Sequence, residues 1–214
     1  MNSYAYYNGK FGKRNEITIP LSDRSIFFGD AVYDAAIGSY DRILWEKEHI
    51  ERFFSNAKRI GITPSFSKKH LSQLLREVAI RSMLKSYFIY FQVSRSNPFR
   101  NHSALNCNSN LLITIDPIEI KMNDYPLKLI TVEDMRYGYC DIKTVNLLPA
   151  VLSMTNAEKA GCDEAIFIKD GIVTECSKSN ISSLKVVRLK MVDMQRKIAS
   201  SMSCVLDGRD IGSY

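Results

Sequence analysis

The sequence predicts an α+β protein of two domains, and three observations carry that prediction. Tyr87 to Val93 and Leu111 to Ile115 are dense in aromatic and β-branched residues, too short for helices and bounded by polar loops, so they read as central strands. Two stretches in the first half repeat apolar residues every three or four positions, the spacing of helices with one buried face. Asp116-Pro117 and Met122-Asn123-Asp124-Tyr125-Pro126 are turn-prone, and a new β-prone run begins at Leu127. The division that follows is a small two-layer α/β domain over 1–118, a linker over 119–126, a mostly β second domain over 127–183, and a tail over 184–214.

Taken in order, Tyr4 to Tyr7 and Glu16 to Ile19 read as a hairpin about Asn8-Gly9-Lys10. Ala31 to Ile37 and Ile43 to Trp45 flank Tyr40-Asp41-Arg42 as a second hairpin. Ile50, Phe53, Phe54, Ala57 and Ile60 mark the buried side of a helix over Lys47 to Ile60, which Gly61 ends. Ser67 suits the N-cap of a second helix running to about Met83, with Leu71, Leu74, Leu75, Val78 and Ala79 inward. In the second domain, Leu147 to Ala160 has helical spacing and stops at Gly161. Glu164 to Ile168 and Ile172 to Thr174 flank the hairpin turn Lys169-Asp170-Gly171.

Composition narrows the function classes. No leader-like segment opens the sequence and no apolar run reaches bilayer length, so the expectation is a soluble, cytoplasmic protein without membrane contact. Cys107, Cys140, Cys162, Cys176 and Cys204 are scattered and in no C-x-x-C spacing, which predicts reduced thiols and neither a disulfide framework nor a metal site. The net charge is +6, and from Lys185 onward six basic side chains face three acidic ones. Half of the excess therefore sits in the tail, and no basic stripe interleaved with aromatics indicates nucleic acid.

Lys143 is the first candidate for chemistry. It lies in Cys140-Asp141-Ile142-Lys143-Thr144-Val145-Asn146-Leu147-Leu148, between a strand-like segment and a helix, where burial of its stem lowers its proton affinity and makes the amine a better nucleophile toward a carbonyl. The run Asp141 to Leu148, then Asn156-Ala157-Glu158-Lys159-Ala160-Gly161-Cys162-Asp163-Glu164-Ala165, then Val173-Thr174-Glu175 with Ser177, Ser179 and Asn180, resembles the class IV (fold type IV) aminotransferases, which use pyridoxal 5'-phosphate (PLP). Asp23-Arg24 with Phe28-Gly29-Asp30, and Glu48-His49-Ile50-Glu51-Arg52 continued by Ser55-Asn56-Ala57, fit the same family in the same order.

The resemblance implies the two-domain fold type IV PLP-enzyme architecture and a role for each matching residue. Lys143 binds the cofactor covalently and moves a proton between the substrate α-carbon and the cofactor. Glu175 meets the pyridine nitrogen, where a carboxylate keeps the ring protonated. Arg52 takes the phosphate, a planar guanidinium being suited to bidentate contact, and Ser179 and Asn180 complete the cofactor contacts. Tyr33 with Arg100 and His102 resembles the substrate-carboxylate trap of D-amino-acid aminotransferases, with the Arg-x-His pair delivered by the partner of a homodimer. The expected reaction is transamination between a D-amino acid and a 2-oxo acid. Branched-chain aminotransferases and aminodeoxychorismate lyases share the Lys143 and Glu175 equivalents, but Arg100 and His102 argue against both.

Departures accompany the match. Ala31 replaces a glycine, Asn56 a smaller residue, and Lys178 a small hydroxyl residue. From about residue 184 the resemblance changes: Val187 to Ala199 and Cys204-Val205-Leu206-Asp207-Gly208-Arg209-Asp210-Ile211-Gly212 resemble an internal piece of cytidylate kinase, in which the Arg209 and Asp210 equivalents contact a nucleoside monophosphate. Kinase activity does not follow, since no G-x-x-x-x-G-K-[ST] loop is present. This reads as a chimeric or rearranged frame that truncates the second domain. Weak or absent turnover, or a non-catalytic remnant that only dimerises or binds PLP, is the corresponding expectation.

Overall fold

A computed structural model of the chain describes residues 3–119 and 126–179. The tail over 184–214 and the assigned Asn180 lie outside the described residues. The chain divides into two compact units, Met1–Ile120 with Tyr139–Asn146 and Lys121–Gly138 with Leu147–Tyr214. The segment with Lys143 thus belongs to the first unit, although the chain has already entered the second.

In the first unit β1 (Tyr4–Tyr7) turns directly into β2 (Lys10–Lys13), so the pairing expected with Glu16 to Ile19 does not occur. The reason is local: Asn8 and Gly9 both take positive φ, 44° and 92°, which closes a two-residue hairpin. A single helical turn α1 (Ser25–Phe28), not foreseen from the sequence, precedes β3 (Ala31–Ser39) and its short partner β4 (Arg42–Ile43). Next come α2 (Glu46–Arg59) and α3 (Lys68–Ser82), then β5 (Ser86–Ser96) and β6 (Asn108–Pro117). Ser67 caps α3, its side chain accepting the His70 N–H at 3.1 Å.

The sheet order is β2-β1-β6-β5-β3-β4, antiparallel throughout. Strand alternation sends Tyr87, Ile89, Phe91 and Val93 of β5, Leu111, Ile113 and Ile115 of β6, and Val32 and Ala36 of β3 into one core with Ile50, Phe53 and Ala57 of α2 and Leu71, Leu75 and Val78 of α3. Each Val, Leu, Ile or Phe among them contributes about 1.5–3 kcal/mol on burial. Phe53 and Phe91 meet at 5.0 Å between ring centroids. Asn56, the misfit in α2, is buried as well. Asp34 shares the helix-facing row of β3 with Val32 and Ala36, and it is the one charge in that row.

The second unit carries β7 (Leu129–Glu133), α4 (Leu148–Lys159), β8 (Glu164–Lys169) and β9 (Ile172–Cys176). β7 and β8 are parallel, and β8 returns antiparallel into β9 through Asp170-Gly171. Ala157 of α4 is buried, as are Ala165 and Phe167 of β8 and Cys176 of β9. Among the described residues no helix is long and apolar enough to cross a membrane, and no group of His, Cys, Asp or Glu is arranged to hold a metal ion.

Gly38 tests the packing of β3 on β5. A Cβ there would lie 2.3 Å from the Tyr87 ring, which is fully buried and donates its hydroxyl to the Arg42 carbonyl at 3.3 Å. Gly38→Ala is expected to destabilise the first unit by about 1–3 kcal/mol through overpacking. A lowered urea midpoint checks this, and an unchanged one would show that Tyr87 can move aside.

Candidate active site

Residues 139–146 reach the first unit by completing a strand edge. One side of β3 is paired along its length with β5; on the other, β4 covers Gly38 and Ser39, and Thr144 bridges Val32 further along. The Tyr33 N–H donates to the Lys143 carbonyl at 2.9 Å and the Val145 N–H to the Ala31 carbonyl at 3.3 Å. Arg59 of α2 pairs with the Asp141 carboxylate, and its Nη1 donates to the Asp141 carbonyl at 3.1 Å. Asn146 donates to the Gly29 carbonyl at 3.1 Å. Gly29 has φ 59°, and a Cβ there would fall 2.0 Å from Asn146 Oδ1, so both conformation and space call for glycine.

Lys143, half-buried, carries its ammonium 4.6 Å from the centre of the Tyr33 ring, a cation–π contact of about 0.5–1 kcal/mol. Tyr33 stacks in turn on Tyr90 at 5.2 Å and 23°. Tyr90 donates to Gln92 Oε1 at 2.6 Å, and burial, then Tyr33, push its phenol above the usual range. These residues share the face of β3 and β5 opposite the helices, so the structure brings two predicted site residues, Lys143 and Tyr33, together.

Arg52 projects from α2 to Asp34, the residue that follows Tyr33 in β3. Its Nε donates to Asp34 Oδ2 at 2.8 Å and its Nη2 to Asp34 Oδ1 at 2.9 Å. His49 Nδ1 lies 2.8 Å from Asp34 Oδ1. Burial pulls the Asp34 pKa upward, but the Arg52 and His49 contacts outweigh it and hold the carboxyl below its ordinary value.

Arg100 and His102 lie on an exposed loop fixed from beneath. Arg24, only 4% exposed, donates to the carbonyls of Asn101, His102 (3.1 Å) and Ser103 (3.3 Å), and through Nε to Asp30 at 2.7 Å. Arg95 pairs with both oxygens of the same Asp30. The Phe28 ring lies 4.6 Å from the Arg24 guanidinium, 5.0 Å from that of Arg100, and 5.2 Å from the His102 ring. The predicted Arg-x-His pair therefore shares one aromatic platform.

In the second unit Glu175 forms an ion pair with Arg136. Arg136 also grips Asp134 through Nε at 2.8 Å and Nη2 at 2.7 Å, and its guanidinium covers the Phe167 ring at 4.6 Å. The Arg136 contacts hold the Asp134 carboxyl well below the usual range. Ser179 gives its N–H and its hydroxyl (2.7 Å) to buried Glu164, which also accepts the Lys178 N–H; the Lys178 side chain is exposed. Burial, with Glu164 and Glu175, pushes the Cys176 thiol up to about 11, so it stays protonated at neutral pH.

Sequence reasoning missed Asp34, Arg136 and Glu164. A signal existed for the first: a carboxylate in the alternating row Val32, Asp34, Ala36, with His49 and Arg52 one turn apart on the helix that covers it.

Residues 31–195 match the amino-transferase class IV family, and the chain belongs to that family. Within it, the chain is similar to the D-alanine aminotransferase of Bacillus licheniformis, 36% identical over 179 residues that cover 82% of this chain and 63% of that protein. The D-alanine aminotransferase of Listeria innocua is 33% identical over 186 residues, covering 83% and 64%. The chain thus spans just under two thirds of the length of these relatives. Its fold is similar to that of the branched-chain aminotransferase of Thermoproteus uzoniensis, with TM-score 0.75 at 16% identity over 92% of this chain and 75% of that one. This is the two-domain α+β fold that the motifs imply.

Asp30 resembles Asp34 in its titration: burial pulls its pKa upward, and Arg95 and Arg24 bring it below the ordinary value. A lowered folded-state pKa contributes stability that is complete above about pH 4, the unfolded carboxyl's value, and is lost as pH falls below it. The urea midpoint of the wild type is expected to drop steeply below about pH 4, and that of Asp30→Asn to start lower and fall less. Parallel pH profiles would assign the acid transition to other carboxylates.

Proposed function

We propose that this chain carries the chemistry of PLP-dependent transamination between a D-amino acid and a 2-oxo acid. The observation that carries the reading is Lys143, anchored at the edge of β3 with its amine over Tyr33. Each residue assigned to the cofactor has the chemistry of its role: a lysine amine for the aldehyde, the braced guanidinium of Arg52 for the phosphate, and the carboxylate of Glu175, seated on Arg136, for the pyridine nitrogen. Ser179 and Asn180 belong to the same set by resemblance. When bound, the cofactor supplies a carbonyl that accepts the amino group and a ring that takes up the electron pair left on the substrate α-carbon. Lys143 would hold it through its amine and, once the substrate amine takes its place, would move the proton to and from that carbon.

Tyr33, Arg100 and His102 are assigned to the substrate carboxylate, with Arg100 supplying the opposite charge. The similarity to D-alanine aminotransferases, at 32–36% identity, supports the D-amino acid over the branched-chain substrate named for a structure similar at only 16%. A second copy of the chain is the proposed partner. Phe27 and Phe99 (77% exposed) beside Arg100, with Ile26 and Leu105, give the loop an apolar surface of the kind that homodimers cover.

The test begins with absorption spectra of the protein incubated with PLP. A band that appears with the wild type and is lost in Lys143→Ala is expected. In the half-reaction, Arg100→Ala is expected to raise the half-saturating D-alanine concentration roughly 10- to 100-fold, the loss of one charge-assisted contact. Reaction with L-leucine in place of D-alanine would overturn the substrate assignment, and absence of the band would overturn the cofactor assignment.

A further inference from the structure

We infer that Asp34 and His49 are positioning residues that set the plane of the Arg52 guanidinium for the phosphate of the cofactor. The inference rests on the reading of Arg52 given above and adds to it the reason a charge stands in the core-facing row of β3.

Asp34 is 0% exposed and lies opposite Phe91 in the strand register, in the same row as Val32 and Ala36. Such a position is ordinarily apolar, and replacing a buried ion pair by apolar residues is often neutral or stabilising. Stability alone therefore does not account for Asp34. What its carboxylate does is geometric. Oδ2 takes the Arg52 Nε–H and Oδ1 takes an Nη2–H, at 2.8 and 2.9 Å, so one whole edge of the guanidinium is clamped. Because the group is planar, two bonds on one edge fix the direction of all five N–H groups.

The carboxylate is itself braced. Oδ1 accepts the Ala35 N–H at 2.8 Å, from the strand that carries Asp34, and lies 2.8 Å from His49 Nδ1. An ionised Asp34 has no proton to give, so Nδ1 carries the hydrogen in that contact. His49 precedes Arg52 by one helical turn, and its Nδ1 stands 3.2 Å from Arg52 Nη2. Strand and helix thus hold the carboxylate from two sides, and the carboxylate holds the arginine.

Two roles for Asp34 predict opposite results. A mere counter-charge would weaken the attraction between Arg52 and a dianion, so its removal would tighten phosphate binding. A clamp spares Arg52 the loss of rotamer freedom on binding, so its removal weakens it.

The experiment is equilibrium dialysis of the full chain against PLP and, separately, against pyridoxal, which lacks the phosphate. Asp34→Asn, near in shape, is expected to weaken PLP binding about 10-fold and leave pyridoxal unchanged, and Asp34→Glu to recover part of the loss. Arg52→Ala should show the same phosphate-selective loss, and the double variant no more than Arg52→Ala alone. Equal weakening of both ligands in Asp34→Asn assigns Asp34 to folding alone and overturns the inference, as does unchanged or tighter PLP binding. A selective loss in Arg52→Ala with none in Asp34→Asn overturns the clamp and keeps the reading of Arg52. No selective loss in Arg52→Ala, or binding of neither ligand by the wild type, overturns that reading and the inference with it.

Discussion

Charge drawn into an apolar interior has to be paired there, and much of the first unit follows from that requirement. Asp23, Asp30 and Asp34 all lie in or just before β3, and each is surrounded by donors. Asp23, 1% exposed, accepts from Tyr7, Ser94, Asn110 and Ser25, tying β1, β5, β6 and α1 to one carboxylate. Asp30 joins Arg24 to Arg95, and Arg24 in turn holds three successive carbonyls of the loop with Arg100 and His102. Asp34 holds Arg52. Arg52, assigned to the phosphate, is thus one bond from a buried acid, and the loop with Arg100 and His102 is held through Arg24, which is itself bonded to Asp30.

A second constraint is that backbone groups at a strand edge need partners. β4 pairs with only the last residues of β3, and the vacant edge nearer its start receives the segment around Thr144. That pairing puts the Lys143 carbonyl on the Tyr33 N–H and the Lys143 amine over the Tyr33 ring. The glycine at 29 belongs to the same arrangement, since the Asn146 side chain occupies the space that a Cβ there would need. A motif residue before β3 and one after Lys143, far apart in the chain, are therefore explained by a single contact.

Much of this was legible in the residues. The faces of α2 and α3 followed from apolar spacing, because a helix on a sheet has one buried side. β5 and β6 followed from their composition, whereas Lys143, Arg52, Glu175, Tyr33, Arg100 and His102 are assignments taken from motifs kept in family order. The first hairpin did not follow: β-propensity favoured Glu16 to Ile19, whereas the tight turn at Asn8-Gly9 returned the chain at Lys10. Strand preference is settled by which neighbour is available, and that is a property of the sheet.

The sequence by itself determined the helix faces, the strands richest in β-branched and aromatic residues, and the residue types on which any chemistry here depends. All of these are set by periodicity or by local composition. Only the tertiary structure decided that residues 139–146 pack with the first unit, that Arg24 underlies the Arg100 loop, that Arg136 seats Glu175, and that Asp34 clamps Arg52. Each of these is a partnership between groups distant in sequence or hidden from its spacing, and it exists because a buried charge or an unpaired peptide group takes whichever partner the fold brings within reach.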